Sequence, residues 1–282
     1  MISPIWLVLL GILSVQFGAS VAKSLFDEVA PTTLVWLRLA TSALIIAAAA
    51  RPVLRGRSRG DWVAAVALGT TLGVMNWSFY QSFQRIPLGV AVTLEFLGPL
   101  TLAVVGSRRA RDLVWVVLAA VGVAVLGLSG GGGSLNLAGV VFALVAGACW
   151  AAYILLSAQT GRRWAGLDGL AVASVVAALL LTPAAIGIGG SDLLDPRILM
   201  VGALVGLLSS VIPYSCEMVA LRTMKASVFS ILMSLEPAAA ALAGILVLEE
   251  FLTGEQWLAM VFIIVASVGA TRSQRTVAPA PD

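Results

Sequence analysis

Apolar runs of about twenty residues recur along this 282-residue chain, and each is long enough to cross the ~30 Å hydrocarbon core of a bilayer as a helix. A chain built this way has few options, because inside hydrocarbon every backbone N–H and C=O must be paired within the protein. Ten such runs are found, near residues 5–23, 32–50, 62–84, 88–106, 112–130, 137–157, 169–188, 199–221, 227–248 and 255–271. Composition agrees: 60% of residues are hydrophobic and 11% charged, against about 25% charged in soluble domains. The sequence therefore predicts an all-α integral membrane protein with ten transmembrane helices and no attached soluble domain. The first run lacks a basic n-region and a small-residue cleavage site, so it is expected to be a retained helix.

Charge placement tests the count, because short cytoplasmic loops collect Lys and Arg. With the N-terminus inside, the cytoplasmic loops hold Arg51, Arg55, Arg57 and Arg59, then Arg108, Arg109 and Arg111, then Arg162 and Arg163, then Arg222 and Lys225, then Arg272 and Arg275. The outer loops keep Lys23, Arg85 and Arg197, and most of the acids, including Asp27, Glu28, Asp192, Asp195, Glu249, Glu250 and Glu255. Both termini are thus expected in the cytoplasm. The net charge of +3 reports this topology and not a nucleic-acid partner. Cys149 and Cys216 fall inside helices, so no disulfide is implied. The absence of histidine removes the commonest metal ligand and general base. No metal, cofactor or catalytic constellation is expected.

Displacing the sequence by 138 positions lays Val90, Leu94, Leu97, Pro99, Ala103 and Gly106 on Val228, Leu232, Leu235, Pro237, Ala241 and Gly244. That displacement carries the fourth helix onto the ninth, so the repeating unit has five helices. An odd count makes the second copy enter the membrane from the opposite side. The expected organisation is two inverted five-helix repeats, 1–135 and 136–282, joined by the flexible "SGGGGSLN" at 129–136.

Four ionisable residues lie inside the apolar runs: Arg38, Glu95, Glu217 and Glu236. A charge near the bilayer centre costs at least ~2.5 kcal/mol on insertion scales, so such residues face protein or a wet cavity. Proline has no N–H, so Pro99 leaves without a helical donor the carbonyl four residues back, which belongs to Glu95. Glu236 immediately precedes Pro237, and the 138-residue displacement sets it one helical turn from the Glu95 slot. The two acids are expected to face one central cavity from the two halves. Burial penalises the charged form of a carboxylate, so acids so placed can load and release protons near neutral pH. A structural reading stands beside this one: the acids neutralise Arg38 or bond to neighbouring hydroxyls, and the prolines only kink. Arg38, seven residues past Pro31, can also snorkel toward the outer headgroups. "NWSFYQSF" (76–83), "ACWAAYI" (148–154) and "PYSCEM" (213–218) read as cavity lining, with Asn76 and Tyr80, Trp150 and Tyr153, and Pro213 and Glu217 sharing helix faces. Tyr214 belongs to the same set, and each aromatic has interfacial anchoring as its alternative role.

The stretches "GVMNWSFYQSFQRIPLGVAVTLEFLGPL", "AGACWAAYILLSAQ", "PYSCEMVALR" and "LMSLEPAAAALAG" resemble the drug/metabolite transporter superfamily with its EamA-type repeats, and within it the inner-membrane threonine/homoserine exporters. The resemblance spans nearly the whole chain, from "QFGAS" to "LTGEQWLA". It departs where the second repeat usually ends in Leu-Gly-Glu, which here reads Leu248, Glu249, Glu250. It implies a bacterial inner-membrane protein that exports small amino acids or related metabolites, driven by the proton gradient, with the substrate, protons and the lipid bilayer as its partners. A monomer is compatible with this organisation.

A zwitterionic amino acid needs an anion for its ammonium and donors for its carboxylate. Glu95 or Glu236 can serve the first; Asn76, Tyr214, Arg38 or helix ends beside the prolines can serve the second. An exporter of cationic drugs or polyamines is the alternative, for which buried carboxylates suffice and Arg38 has no use. An intramembrane enzyme lacks a recognisable nucleophile with a base. The topology is directly testable. A single cysteine at Ser58, in a background without Cys149 and Cys216, is expected to resist an impermeant maleimide on intact cells and to react after permeabilisation. Labelling from outside would overturn the cytoplasmic placement of 51–61.

Overall fold

The computed structural model describes residues 3–105, 113–128, 136–221, 224 and 226–274. The glycine-rich joint at 129–135 lies outside the described residues, as do Arg108, Arg109, Arg111, Arg222, Lys225 and Arg275 and the side chain of Tyr214. The described residues hold helices and no strand: α1 Pro4–Lys23, α2 Pro31–Ala50, α3 Arg59–Phe83, α4 Leu88–Glu95, α5 Leu97–Val105, α6 Leu113–Leu128, α7 Leu137–Gly161, α8 Asp168–Gly189, α9 Pro196–Gly206, α10 Ile212–Leu221, α11 Ala226–Met233, α12 Glu236–Leu248 and α13 Gly254–Gln274. Eight helical stretches are long and apolar enough to cross a membrane, and Leu88–Leu102 and Leu113–Val125 are shorter apolar helices. This is a multi-pass membrane protein. Large apolar side chains such as Val117, Leu144, Leu179, Leu246 and Val261 point outward, as a lipid-facing surface requires.

Helices occupy all ten apolar runs, but three of those runs are not single regular helices. The run at 88–106 divides at Phe96 into α4 and α5, three residues before Pro99. That at 227–248 divides at Ser234–Leu235, just before Pro237. Between α9 and α10, Leu207–Val211 forms a π turn in which the Ile212 N–H reaches the Leu207 carbonyl, two residues before Pro213. In each case a missing proline N–H and its ring disrupt the helical ladder upstream.

Helix starts follow local chemistry. Proline occupies the first turn of α1 and α2, where its missing N–H has no cost. Ser58 and Asp61 form a capping box on α3, and Asn136 accepts from the Gly139 N–H to begin α7. Asp168, in the first turn of α8, accepts from Arg57 Nη2 at 3.1 Å and from the Val53 N–H at 3.2 Å. Arg57 in turn lies over the Trp164 ring. These contacts tie the α2–α3 connection to the α7–α8 connection at one end of the bundle.

The packing pairs are regular. α2 runs along α8, α3 along α7 and α8, and α1 along α9, the π turn and α10. α12 packs on α1 and α4, α7 packs on α4 and α5, and α6 lies against α13. Indole-to-threonine bonds cross two helix seams, from Trp36 to Thr182 between α2 and α8, and from Trp77 to Thr32 between α3 and α2, where Gln81 also donates to Thr32. Without a hydrophobic difference between lipid and side chain, close packing and such bonds hold membrane helices together.

Helix α12 ends in a left-handed residue, Glu249, at φ 55°, with an exposed side chain. Left-handed geometry costs a non-glycine residue about 1–2 kcal/mol. It explains why glycine is usual at this position in the Leu-Gly-Glu pattern from which the chain departs. Glu249→Gly is expected to raise the midpoint of thermal unfolding in detergent, by a stabilisation of about 0.5–1 kcal/mol after the added unfolded-state entropy is counted. An unchanged or lowered midpoint would show that the turn stores no strain.

Candidate functional site

Where the broken helices meet, the protein encloses a cavity of about 520 Å³. Arg38, Asn76, Glu95 and Pro99 border it from the first half of the chain, and Trp150, Tyr153, Pro213, Glu217 and Glu236 from the second. It reaches Leu102 near the end of α5 and Thr271 near the end of α13. Toward the opposite face its lining stops at Ala19, Phe79 and Val92.

One residue expected on the cavity wall lies elsewhere, and one expected helix break stands outside the cavity. Tyr80 is fully buried but is not part of the cavity wall. It sits one turn beyond Asn76, where the cavity has ended, between Phe26 and Phe83 and with the Arg38 guanidinium 5.9 Å from its ring. Pro237 is buried in the first turn of α12 and shapes the break without touching the cavity. Of Tyr214 only the helical backbone is described.

Two of the proline-freed carbonyls have different fates. The Glu95 carbonyl, left without a donor by Pro99, abuts the backbone of Gly147 on α7, where a Cβ would stand 2.6 Å from that oxygen. A Cβ on Gly98 would likewise collide with the Gly147 carbonyl. Glycine at both positions lets α7 press against the α4–α5 break and cover it. The carbonyl thus faces a helix while the Glu95 side chain faces the cavity, beneath the edge-to-face pair of Phe96 and Trp150 at 5.3 Å. Ser209 is the residue whose carbonyl Pro213 leaves free, and Arg38 Nη2 donates to it at 3.0 Å. Arg38 Nε donates to Ser210 Oγ at 3.4 Å.

The cavity is electrostatically polarised. Glu95, Glu217 and Glu236 share it, and the charges of Glu95 and Glu217 act on Glu236. Arg38 is the opposite charge acting on Glu95. Among the described residues no ion pair joins Arg38 to a carboxylate. Glu236 also heads α12, where the helix dipole favours an anion. Among the described residues no group of His, Cys, Asp and Glu has the arrangement of a metal site.

At the closed face three chain segments are fastened by one carboxylate. Glu250 pairs with Lys23 at the end of α1 and accepts from the Leu88 N–H at 2.8 Å, capping α4. Lys23 also donates to the Ile86 carbonyl at 2.8 Å. Just inside this cluster α4 and α12 cross so closely that a Cβ on Gly89 would stand 2.9 Å from the Ala241 Cα. Lys23 and Glu250, which the sequence presents as loop charges, form a tether between helix ends.

Residues 137–272 match the EamA-like transporter family. A threonine/homoserine exporter, RhtA, from Salmonella typhimurium strain LT2 is 43% identical over 277 residues, 96% of this chain and 94% of its own. RhtA of Escherichia coli K12 is 42% identical over the same shares. The chain belongs to the EamA-like transporter family. An uncharacterised transporter of Bacillus subtilis, YwfM, is 30% identical over 60% of this chain. A solved protein structure has a TM-score of 0.61 at 18% identity, over 96% of this chain and 99% of its own, which shows a shared fold. For an EamA-like transporter, a polar cavity inside an apolar bundle belongs to a transport route and not to a catalytic centre.

Proposed function

We propose that this EamA-like transporter exports small amino acids of the threonine/homoserine kind, or related metabolites, across the bacterial inner membrane in exchange for protons. The observation that carries this reading is the match of named threonine/homoserine exporters along 96% of the chain, together with a cavity that holds both acids and a base. A zwitterion requires both. Arg38 on the wall weighs against the alternative of cationic drugs or polyamines, for which a fixed positive charge is repulsive.

The packing supports an inverted repeat of ten spans, 1–135 and 136–282, in which α4–α5 and α6 also cross the membrane. Adding five spans to either partner turns the α3–α7 pair into that of α9–α10 with α1, and the α4–α5 contact with α7 into that of α11–α12 with α1. The α2–α8, α4–α12 and α6–α13 pairs map onto themselves. The EamA-like match begins at 137, where the second repeat would begin. One chain holds the whole cavity, so a monomer can perform the transport.

In this reading the cavity faces the cytoplasm, and the cluster of Lys23, Glu250 and the start of α4 closes the outer face. Alternating access then requires the Gly89–Ala241 seam and that cluster to part while α5 and α11 approach each other. Glu95 and Glu236, one on each side of the α4–α12 crossing, are placed to carry protons or to hold the substrate ammonium, with Glu217 as a third acid.

Replacing Glu95 or Glu236 with Gln preserves size and hydrogen bonding while removing the titrating group. In proteoliposomes, efflux driven by a pH gradient is expected to fall at least about tenfold, the size of one strong charge-assisted interaction. Substrate counterflow, which needs no net proton movement, should be retained within about threefold. Two normally folded single variants with full pH-driven efflux would remove both acids from proton coupling.

A further inference from the structure

Arg38 stands alone among the four intramembrane ionisable residues as a cation, and its surroundings have the form of an anion receptor. Of the five N–H groups of its guanidinium, two are used to hold the turn between α9 and α10, through the Ser209 carbonyl and Ser210 Oγ. Those two bonds fix the plane and position of the fork. The remaining three N–H groups pair with no carboxylate among the described residues, the Tyr80 hydroxyl lies within reach of the guanidinium, and the side chain borders the cavity. A guanidinium inside a bilayer with no ion pair is costly unless something anionic reaches it.

Two further polar groups line the same cavity. The Ser209 hydroxyl is buried, borders the cavity and has no partner. So does Gln16 of α1, whose Oε1 is buried without a hydrogen bond. Gln16 is held at this spot because α1 grips the π turn on both sides of it. Ser14 Oγ donates to the Leu208 carbonyl at 2.7 Å, and Gly18 lies directly against Ser209. Side-chain amide orientation is set by what it bonds to, so Gln16 can present its NH₂ to an acceptor. Native proteins seldom leave buried polar atoms unpaired, and a group of them around a fixed cation marks a place where a ligand completes the bonding.

Asn76, also on the cavity wall, uses one of its two Nδ2 N–H groups for the Leu72 carbonyl at 2.9 Å and keeps one for a ligand. Glu95, Glu217 and Glu236 supply the opposite charge from other helices lining the same cavity. A bound molecule with an anionic and a cationic end is therefore oriented by the site itself.

We infer that Arg38, with the Ser209 hydroxyl and the Gln16 amide, forms the receptor for the carboxylate of the transported molecule, leaving its ammonium to the acids. The inference rests on the amino-acid reading above and deepens it by assigning the two ends of the substrate. The guanidinium takes the carboxylate in a two-point contact, which a lysine ammonium cannot reproduce. The π turn serves the site by turning the Ser209 carbonyl and the Ser210 hydroxyl toward α2 while the Ser209 hydroxyl lies against Gly18 of α1, so the Pro213 break becomes part of recognition.

Three ligands separate the ends of the molecule: threonine, threoninol, in which the carboxylate is a CH₂OH, and 3-hydroxybutyrate, which lacks the ammonium. Binding of each to the purified full-length protein in nanodiscs is measured for the unaltered chain and for Arg38→Gln, Arg38→Lys, Ser209→Ala and Gln16→Leu. The unaltered chain should bind threonine at least about tenfold more tightly than threoninol, and Arg38→Gln should weaken threonine by that factor while leaving threoninol nearly unchanged. Arg38→Lys should fall between the two. Ser209→Ala, which removes one oxygen and leaves the Arg38 bond to the Ser209 carbonyl intact, should weaken only the two carboxylate ligands. A general loss of packing would weaken all three ligands together. Equal binding of threonine and threoninol by the unaltered chain, preference for threonine retained in Arg38→Gln, or binding of no carboxylate ligand at all would overturn the inference. If 3-hydroxybutyrate binds as tightly as threonine and loses affinity in Arg38→Gln, the carboxylate receptor stands and the amino-acid reading falls.

Discussion

The structure turns on what happens to a backbone carbonyl when proline removes its donor in a medium that contains no water. Each such oxygen needs a new partner or a protective contact, because hydrocarbon offers none. At Glu95 the answer is a helix crossing: Gly147 and Gly98 let α7 close over the break. At Ser209 the answer is a charge, with Arg38 supplying the missing N–H. The first break directs a carboxylate into the cavity, and the second secures a guanidinium at its wall. Two of the four ionisable residues on the cavity wall, Glu95 and Arg38, are therefore tied to the repair of a helix.

The same logic links the ends of the molecule to its middle. Glu250 caps α4, the helix that carries Glu95, and pairs with Lys23 of α1, the helix that carries Gln16. α12 begins at Glu236 and ends at the turn that holds Glu250. A displacement of α4 against α12 thus acts on the Lys23–Glu250 cluster and on two of the cavity acids together. In the proposed cycle this gives a mechanical route by which proton binding at Glu95 or Glu236 loosens the closed face, without any link through distant loops.

Much of this was legible in the sequence. Among the described residues a helix stands in each apolar run, and eight of these stretches are long enough to cross a membrane, because the bilayer sets a length that few other constraints mimic. The prolines at 99, 213 and 237 marked the breaks, and the rarity of intramembrane charge picked out Arg38, Glu95, Glu217 and Glu236, all of which border the cavity. Tyr80 was placed by helical spacing from Asn76, which gives the direction of a side chain around its axis but not the depth at which a cavity stops. Gln16 and Ser209 were passed over because small neutral polar residues in an apolar run follow no period. Ser209 did carry a signal, its position four before Pro213, the relation that drew attention to Glu95. The pairing of Lys23 with Glu250 joins residues far apart in the chain, and loop charges counted for topology conceal such contacts.

The central claim is that one cavity, acidic on some walls and basic at Arg38, selects small zwitterions. Counterflow of labelled threonine in proteoliposomes containing the unaltered protein tests it most directly, with homoserine, serine, putrescine and tetraphenylphosphonium as competitors. The account predicts that threonine exchanges, that homoserine and serine compete, and that putrescine and tetraphenylphosphonium do not. Competition by the cations with no effect of the amino acids would contradict it.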